Sequence, residues 1–167
     1  MNEIKKFIKT PSIIYTSPYK RTLETSYCIL QHFNSKPQII VDTNLRETLF
    51  NENLVKYLGI PLIKLLKSIP DMKINIEEKK YETWNDINER SKNFIDNLQE
   101  KVQNSECYTE YMGISHGGTI NSILSYVDKD YKFDIENIDP TTYVPKYFDF
   151  VVIDITKNTK KVVYKNF

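Results

Sequence analysis

Arginine and histidine are the scarce residues of this chain. Its 167 residues hold 23 lysines and arginines, yet only Arg21, Arg46 and Arg90 are arginines. Histidine occurs only at His32 and His116. Where lysine is the default cation, an arginine marks a position that uses a planar fork in a way an ammonium cannot. The two cysteines, Cys28 and Cys107, share no metal-ligand spacing and are too few for a disulfide framework. No apolar run is long enough to span a bilayer, and Met1-Asn2-Glu3-Ile4-Lys5-Lys6 lacks the apolar stretch of a secretion signal. These absences point to a reducing, cytoplasmic setting. The formal net charge is +1, so bulk electrostatics argue for neither nucleic acid nor an anionic membrane as partner. Any anion binding must be local.

What is present suits one folded domain. The length is enough for a single core and too short for two comfortable ones. Hydrophobic residues make up 40% and charged residues 27%, which is ordinary for a globular chain. There is no internal repeat, no low-complexity tract and no linker.

Ile4, Phe7 and Ile8 recur at helical spacing until Thr10-Pro11 stops the pattern. Ser12 to Thr16 reads as a short strand ending in Ser17-Pro18. A helix then runs to about Phe33, with Ser17 expected as its N-cap and Pro18 in its first turn. Arg21 therefore sits close to the strand's C-terminal end, the end of an α/β sheet where ligands bind. Gln38-Ile39-Ile40-Val41 is a second strand, followed by Leu45-Arg46-Glu47. Glu47 can reach the same edge, although a solvated loop carboxylate reads alike.

Residues 52–69 suggest a helical hairpin broken at Gly59-Ile60-Pro61, and 71–80 an exposed lysine-rich loop. Thr83-Trp84-Asn85-Asp86 has the form of a capping box. Behind it Trp84, Ile87, Phe94, Ile95, Leu98 and Val102 form the apolar stripe of a long helix. Arg90, within that helix, is expected as an ion-pair residue. Asp139 to Tyr143 reads as a loop, and 148–155 with 162–164 as a closing hairpin around Lys157-Asn158-Thr159.

The densest signal is Tyr111-Met112-Gly113-Ile114-Ser115-His116-Gly117-Gly118-Thr119-Ile120. An apolar run meets a histidine and two glycines, and the pattern Ile120, Ile123, Leu124, Val127 follows. This is strand, tight turn, helix. The first amides of such a helix attract anions, and a histidine there can bond or exchange a proton with a phosphoryl oxygen. A turn histidine that merely satisfies itself would look the same from this segment alone. Two such turns in one α/β domain, Ser17-Pro18-Tyr19-Lys20-Arg21 and Ser115-His116-Gly117-Gly118, together with Glu47, offer a phosphate clamp and a proton donor.

The residues 14–25, running from Ile14 through Ser17, Pro18 and Arg21 to Thr25, resemble the second arginine motif of the histidine phosphatase superfamily, also called phosphoglycerate mutase-like. Leu45-Arg46-Glu47 resembles that family's acidic segment. Tyr81 through Arg90 to Ser115-His116-Gly117-Gly118 resembles its long helix and second histidine motif. The resemblance implies an α/β fold, a single phosphoglycerate mutase-like sheet flanked by helices. It implies phosphate binding by Arg21, His116, Gly117 and Ser17, and catalytic roles for His116 and for Glu47 as proton donor to the leaving oxygen. The implied chemistry is that of phosphomonoesterases and mutases working through a phosphohistidine, with no metal and no cofactor. The implied partners are phosphorylated small molecules or phosphoproteins.

One departure is large. The family's arginine-histidine-glycine motif closes a first strand upstream of the Ser-Pro-x-x-Arg turn. Here 16 residues precede Ser17, and none is histidine or arginine. Residues 1–167 are therefore expected to form one domain, N-terminally incomplete, with the nucleophile-bearing strand missing and no activity alone. His32 lies 11 residues beyond Arg21, or ~16 Å along a helix, too far to substitute. Cys28 is nearer but is expected to be buried. A sheet lacking that strand leaves unpaired edges or closes up. The chain is then a fragment of a longer enzyme, a pseudophosphatase that binds phospholigands or proteins, or half of a composite enzyme whose partner chain completes the sheet. An unrelated α/β interaction protein is the remaining alternative. Substrate choice is expected to lie in residues 48–80 and 128–147, which carry no distinct signature.

Overall fold

Three short strands run side by side in one direction. β1 (Ile13–Thr16) lies between β2 (Gln38–Val41) and β3 (Tyr111–Ile114), both parallel to it. The computed structural model describes residues 3–47, 82, 84–131 and 149–166. The suggested hairpin at 52–69, the loops at 71–80 and 139–143, and Thr83, the first residue of the capping box, lie outside them.

Alternate residues of each strand face opposite ways, and both faces are covered. Ile13, Tyr15, Ile40 and Tyr111 join a cluster with Leu45, Phe94, Ile95, Leu98 and Ile123. The last four belong to α2 (Trp84–Gln103) and α3 (Gly117–Val127). Ile14, Ile39, Met112 and Ile114 join Phe33, Ile29 and Leu30 on the side of α1 (Lys20–Leu30). The result is a mixed α/β domain with a parallel sheet flanked by helices, as the alternation of short apolar runs and helical patterns predicts.

α2 is the longest helix among the described residues, and its stripe at intervals of three and four is what packs: Ile87, Phe94, Ile95 and Leu98 are all buried. The Tyr15 and Phe94 rings meet edge to face at 5.6 Å. α1 hides its inward face less obviously. It is polar, with Thr22 and Ser26 buried. Their hydroxyls donate back to the backbone, Thr22 to Tyr19 O at 2.7 Å and Ser26 to Thr22 O at 2.7 Å. Cys28 lies on the other side of α1 and is exposed, not buried as expected from its residue type. The face that packs is set by Thr22, Ser26 and the apolar residues that follow, and position 28 is out of phase with it.

The first residues make a single 3₁₀ turn, Ile4–Lys6. Ile4 and Ile8 pack on the α1 side of the sheet, and Phe7 stacks against Phe150 and Tyr164. Glu110 accepts from the Lys9 and Thr10 amides at 2.9 and 2.7 Å, fastening this segment to the start of β3. The closing hairpin, β4 (Val151–Ile155) with β5 (Lys160–Lys165), forms a separate two-stranded antiparallel sheet. Its Ile153 and Ile155 pack on the α2–α3 cluster.

Asp96 ties this hairpin to the helices. It accepts from the Tyr126 hydroxyl at 2.7 Å, from Lys92 at 2.6 Å and from Lys160. Burial pushes its carboxyl up, but these donors more than offset that and hold its pKa at about 2.

The outer edge of β3 has no partner strand among the described residues. Ser12 N bonds Glu110 O and Ser17 N bonds Ile114 O. By alternation the backbone groups of Tyr111 and Gly113 therefore point away from β1. Gly113, in the interior of the domain's sequence, is exposed there.

Candidate phosphoryl-binding site

In-register parallel strands end at one rim: Thr16, Val41 and Ile114 are lateral partners. The chain beyond each strand therefore departs from the same edge of the sheet, where ligands of open α/β sheets bind. Ser17 and Arg21 follow β1, Glu47 follows β2, and His116 follows β3.

Four of these residues converge. Arg21 Nη2 lies 3.0 Å from Glu47 Oε2 and 2.9 Å from His116 Nδ1. Glu47 Oε2 lies 3.2 Å from the same Nδ1. His116 Nε2 lies 2.8 Å from Ser17 Oγ. A guanidinium can only donate. With Nδ1 accepting from Arg21, the ring proton sits on Nε2 and is given to Ser17 Oγ. A protonated ring instead offers its Nδ1–H to Glu47. The imidazole side chain is 3% exposed, Glu47 19% and Arg21 46%. The cluster is thus rooted in the core and opens to solvent through the guanidinium.

Ser17 does not cap α1. The cap position is Tyr19, without a side-chain bond, and Pro18 precedes the helix. Ser17 Oγ bonds His116 at 2.8 Å and receives the Tyr19 amide only at 3.5 Å, while the Thr22 hydroxyl ties the turn by donating to Ser17 O at 2.9 Å. Gly117 opens α3 immediately after His116, which holds the extended N-cap conformation. That turn aims the first helical amides at the rim.

Tyr19 is a site residue that residue-type reasoning passed over. Its ring meets the His116 ring edge-on at 5.0 Å, and the Arg21 guanidinium carbon lies 4.8 Å from its centroid. Burial, reinforced by the Glu47 charge, raises its phenol pKa to about 12. It is a neutral wall throughout the physiological range.

A second layer surrounds Glu47. Asp42 Oδ1 accepts from Asn44 N at 2.8 Å, capping the short turn Thr43–Leu45. Arg90 is buried and donates to Glu82 through Nε at 2.9 Å and Nη2 at 3.3 Å. Burial pulls its guanidinium pKa down, and the Glu82 hydrogen bond and charge oppose that. Arg46 also pairs with Glu82. The three arginines thus divide: one at the rim, two on a shared carboxylate. The ion-pair reading of Arg90 agrees with this geometry.

Neither alternative nucleophile joins the cluster. Cys28 is exposed on α1, and His32 lies exposed beyond the C-terminal end of that helix. Among the described residues no group of three or more His, Cys, Asp or Glu is placed to hold a metal ion. No helix of the described residues is long and apolar enough to cross a membrane.

The strand-end rim of this α/β domain thus gathers an arginine, a histidine and a carboxylate. The chain belongs to the histidine phosphatase superfamily (branch 1), whose profile matches residues 3–166. Solved structures share the fold. Phosphoglycerate mutase from Bacillus anthracis aligns at 21% identity and TM-score 0.57, over 89% of this chain and 69% of its own. Bacillus stearothermophilus YhfR aligns at 19% and 0.60, over 96% and 76%. A mycobacterial glucosyl-3-phosphoglycerate phosphatase solved with inorganic phosphate aligns at 16% and 0.61, over 95% and 77%. At these identities the likeness speaks to the fold. No curated protein matches the chain in sequence.

Proposed function

We propose that this chain binds the phosphoryl group of a phosphorylated small molecule or phosphoprotein and does not turn it over by itself. The observation that carries this reading is the convergence of Arg21, His116 and Glu47 within 2.9–3.2 Å at the sheet rim. Arg21 turns from Nδ1 to the phosphoryl oxygens, a protonated His116 offers them its Nδ1–H, Ser17 holds Nε2 and so orients the imidazole, and Gly117 contributes the helix N-terminus. Cationic donors aimed at the equatorial oxygens lower the barrier to phosphoryl transfer. In a form completed by a nucleophile, Glu47 would be the group that hands a proton to the leaving oxygen.

The missing part is the nucleophile. His116 is engaged by Ser17 and Arg21, and the only other histidine, His32, is at the far end of α1. Removing a covalent nucleophile costs on the order of 10⁶ in turnover. Two outcomes are compatible with a clamp of this kind. The domain is a pseudophosphatase that reads phosphoryl groups, or it belongs to a metal-independent phosphomonoesterase or mutase whose nucleophile-bearing strand comes from a longer form of the chain or from a partner chain. The outward-pointing backbone groups of Tyr111 and Gly113 support the second reading, since an edge with no partner strand among the described residues is the usual kind of receptor for strand addition.

Calorimetric titration with inorganic phosphate and vanadate, with p-nitrophenyl phosphate turnover on the same samples, tests this. The expected result is binding by the wild type, loss of binding in both Arg21→Ala and His116→Ala, and no turnover. Turnover above background would overturn the account of the nucleophile. Absence of binding in a folded sample would overturn the clamp.

A further inference from the structure

We infer that Ser115, Thr119 and Arg90 are positioning residues that hold the Glu47 carboxylate against the clamp, by pinning the three successive carbonyls that precede it. The inference rests on the phosphoryl-clamp reading for its purpose, though not for its geometry.

Each carbonyl has its own donor. Arg90 Nη1 donates to Asn44 O at 2.7 Å, Ser115 Oγ to Leu45 O at 2.8 Å, and Thr119 Oγ1 to Arg46 O at 2.7 Å. Surface loops ordinarily leave such carbonyls to water or to local backbone partners. Here all three are taken by side chains from α2 and from the turn and first residues of α3, 46 to 73 residues away in sequence.

The donors are themselves fixed. Arg90 Nη1 also reaches Thr119 Oγ1 at 3.1 Å, and Glu82 occupies Nε and Nη2, so the guanidinium plane cannot rotate away. Thr119 and Arg90 are buried, which keeps water from competing for the carbonyls. Leu45 is buried between them and anchors the segment on its other side.

Ser115 and Thr119 flank His116 in sequence. One strand-to-helix turn thus carries the imidazole and also grips the loop that delivers the acid opposite it. The relative position of Glu47 Oε2 and His116 Nδ1, 3.2 Å apart, is set by a single rigid element. A general acid must lie within hydrogen-bond reach of the leaving oxygen, and a displacement of about 1 Å can cost about 10²-fold. Neighbours of His116 that contact no ligand therefore govern where the proton donor stands.

The test compares ring ¹⁵N signals of His116 at one fixed pH. With only two histidines, His32→Gln assigns the spectrum. Glu47→Gln removes the carboxylate facing Nδ1 and sets a reference position for that signal. The expected result is that Thr119→Val and Ser115→Ala each move the Nδ1 signal toward that reference, with cooperative melting retained. Adding either change to Glu47→Gln should move it no further. Phosphate titration supplies a second readout. A carboxylate beside a bound dianion repels it, so Glu47→Gln and Thr119→Val should both strengthen binding severalfold, and the double variant should match Glu47→Gln alone. A wild-type signal and wild-type phosphate affinity in folded Thr119→Val would overturn the inference. Should Thr119→Val fail to fold, Ser115→Ala, at a half-buried position, decides by the same criteria. If the wild type binds no phosphate, the clamp reading fails while the ring signals still decide the positioning.

Discussion

Ser17 Oγ and His116 Nε2 meet at 2.8 Å although 99 residues separate them in sequence. This contact joins two strand-to-helix turns and presents Nδ1 to Arg21 and Glu47. Substituting Ser17→Ala removes a buried partner of the ring, worth about 1 kcal/mol for a neutral hydrogen bond. Phosphate affinity measured by calorimetry at neutral pH is expected to fall about fivefold. An unchanged affinity would mean that packing against Tyr19 orients the ring by itself.

Arg90 is the cation whose removal the fold should tolerate least. Arg90→Met takes from the Glu82 carboxylate, 7% exposed at its side chain, its buried guanidinium partner. Breaking one side of a buried pair costs about 3 kcal/mol, equivalent to a melting temperature lower by about 10 °C for a domain of this size. Differential scanning calorimetry should also show much of that loss recovered in Arg90→Met combined with Glu82→Leu, because the stranded charge is gone.

Acid should loosen the hairpin's attachment in a defined window. The Asp96 pKa of about 2 lies below its ordinary 3.8, so the folded state prefers the ionised form. The stabilisation is complete above about pH 4 and is lost as pH falls through about 2. Because Asp96 is partly exposed, screening reduces it to about 1 kcal/mol. Urea denaturation across this range should show that component in the wild type and lose it in Asp96→Asn.

Phe94 is the apolar residue that joins α2 to the sheet. It is 5% exposed and meets Tyr15 edge to face. Phe94→Ala is expected to cost about 3–5 kcal/mol through lost burial and a residual cavity, read as a shift in the urea midpoint. A shift corresponding to less than about 1 kcal/mol would place the core elsewhere.

Much of this fold was legible in the sequence because its period is local. Gln38 to Val41 is found with the expected bounds, and the α2 stripe needs only the spacing of Ile87, Phe94, Ile95 and Leu98. The turns at Ser17 and Ser115 announce themselves through proline, glycine and the abrupt change of period. What was hidden depends on partners remote in sequence. Ser17 beside Pro18 looks like a helix cap, and only the return of the chain 99 residues later gives its hydroxyl to His116 instead. The same holds for Thr119, whose residue type favours no role until Arg46 O and Arg90 arrive beside it. Tyr19 stands next to a recognisable turn, yet nothing in its neighbours says that its ring will face an imidazole. Cys28 departs from the habit of its residue type for a different reason. Thiols are usually buried, but Thr22 and Ser26 satisfy their hydroxyls within α1 and so occupy the inward face themselves.

The ion pair between Arg46 and Glu82 has a consequence for how the family can vary. It fastens together the two ends of the stretch that leaves the site after Glu47 and returns at α2. With both ends held, the closure entropy of the chain between them depends only weakly on its length: a doubling adds about 0.6 kcal/mol. While this pair holds, changes in the length of chain between Arg46 and Glu82 should therefore cost the domain little stability.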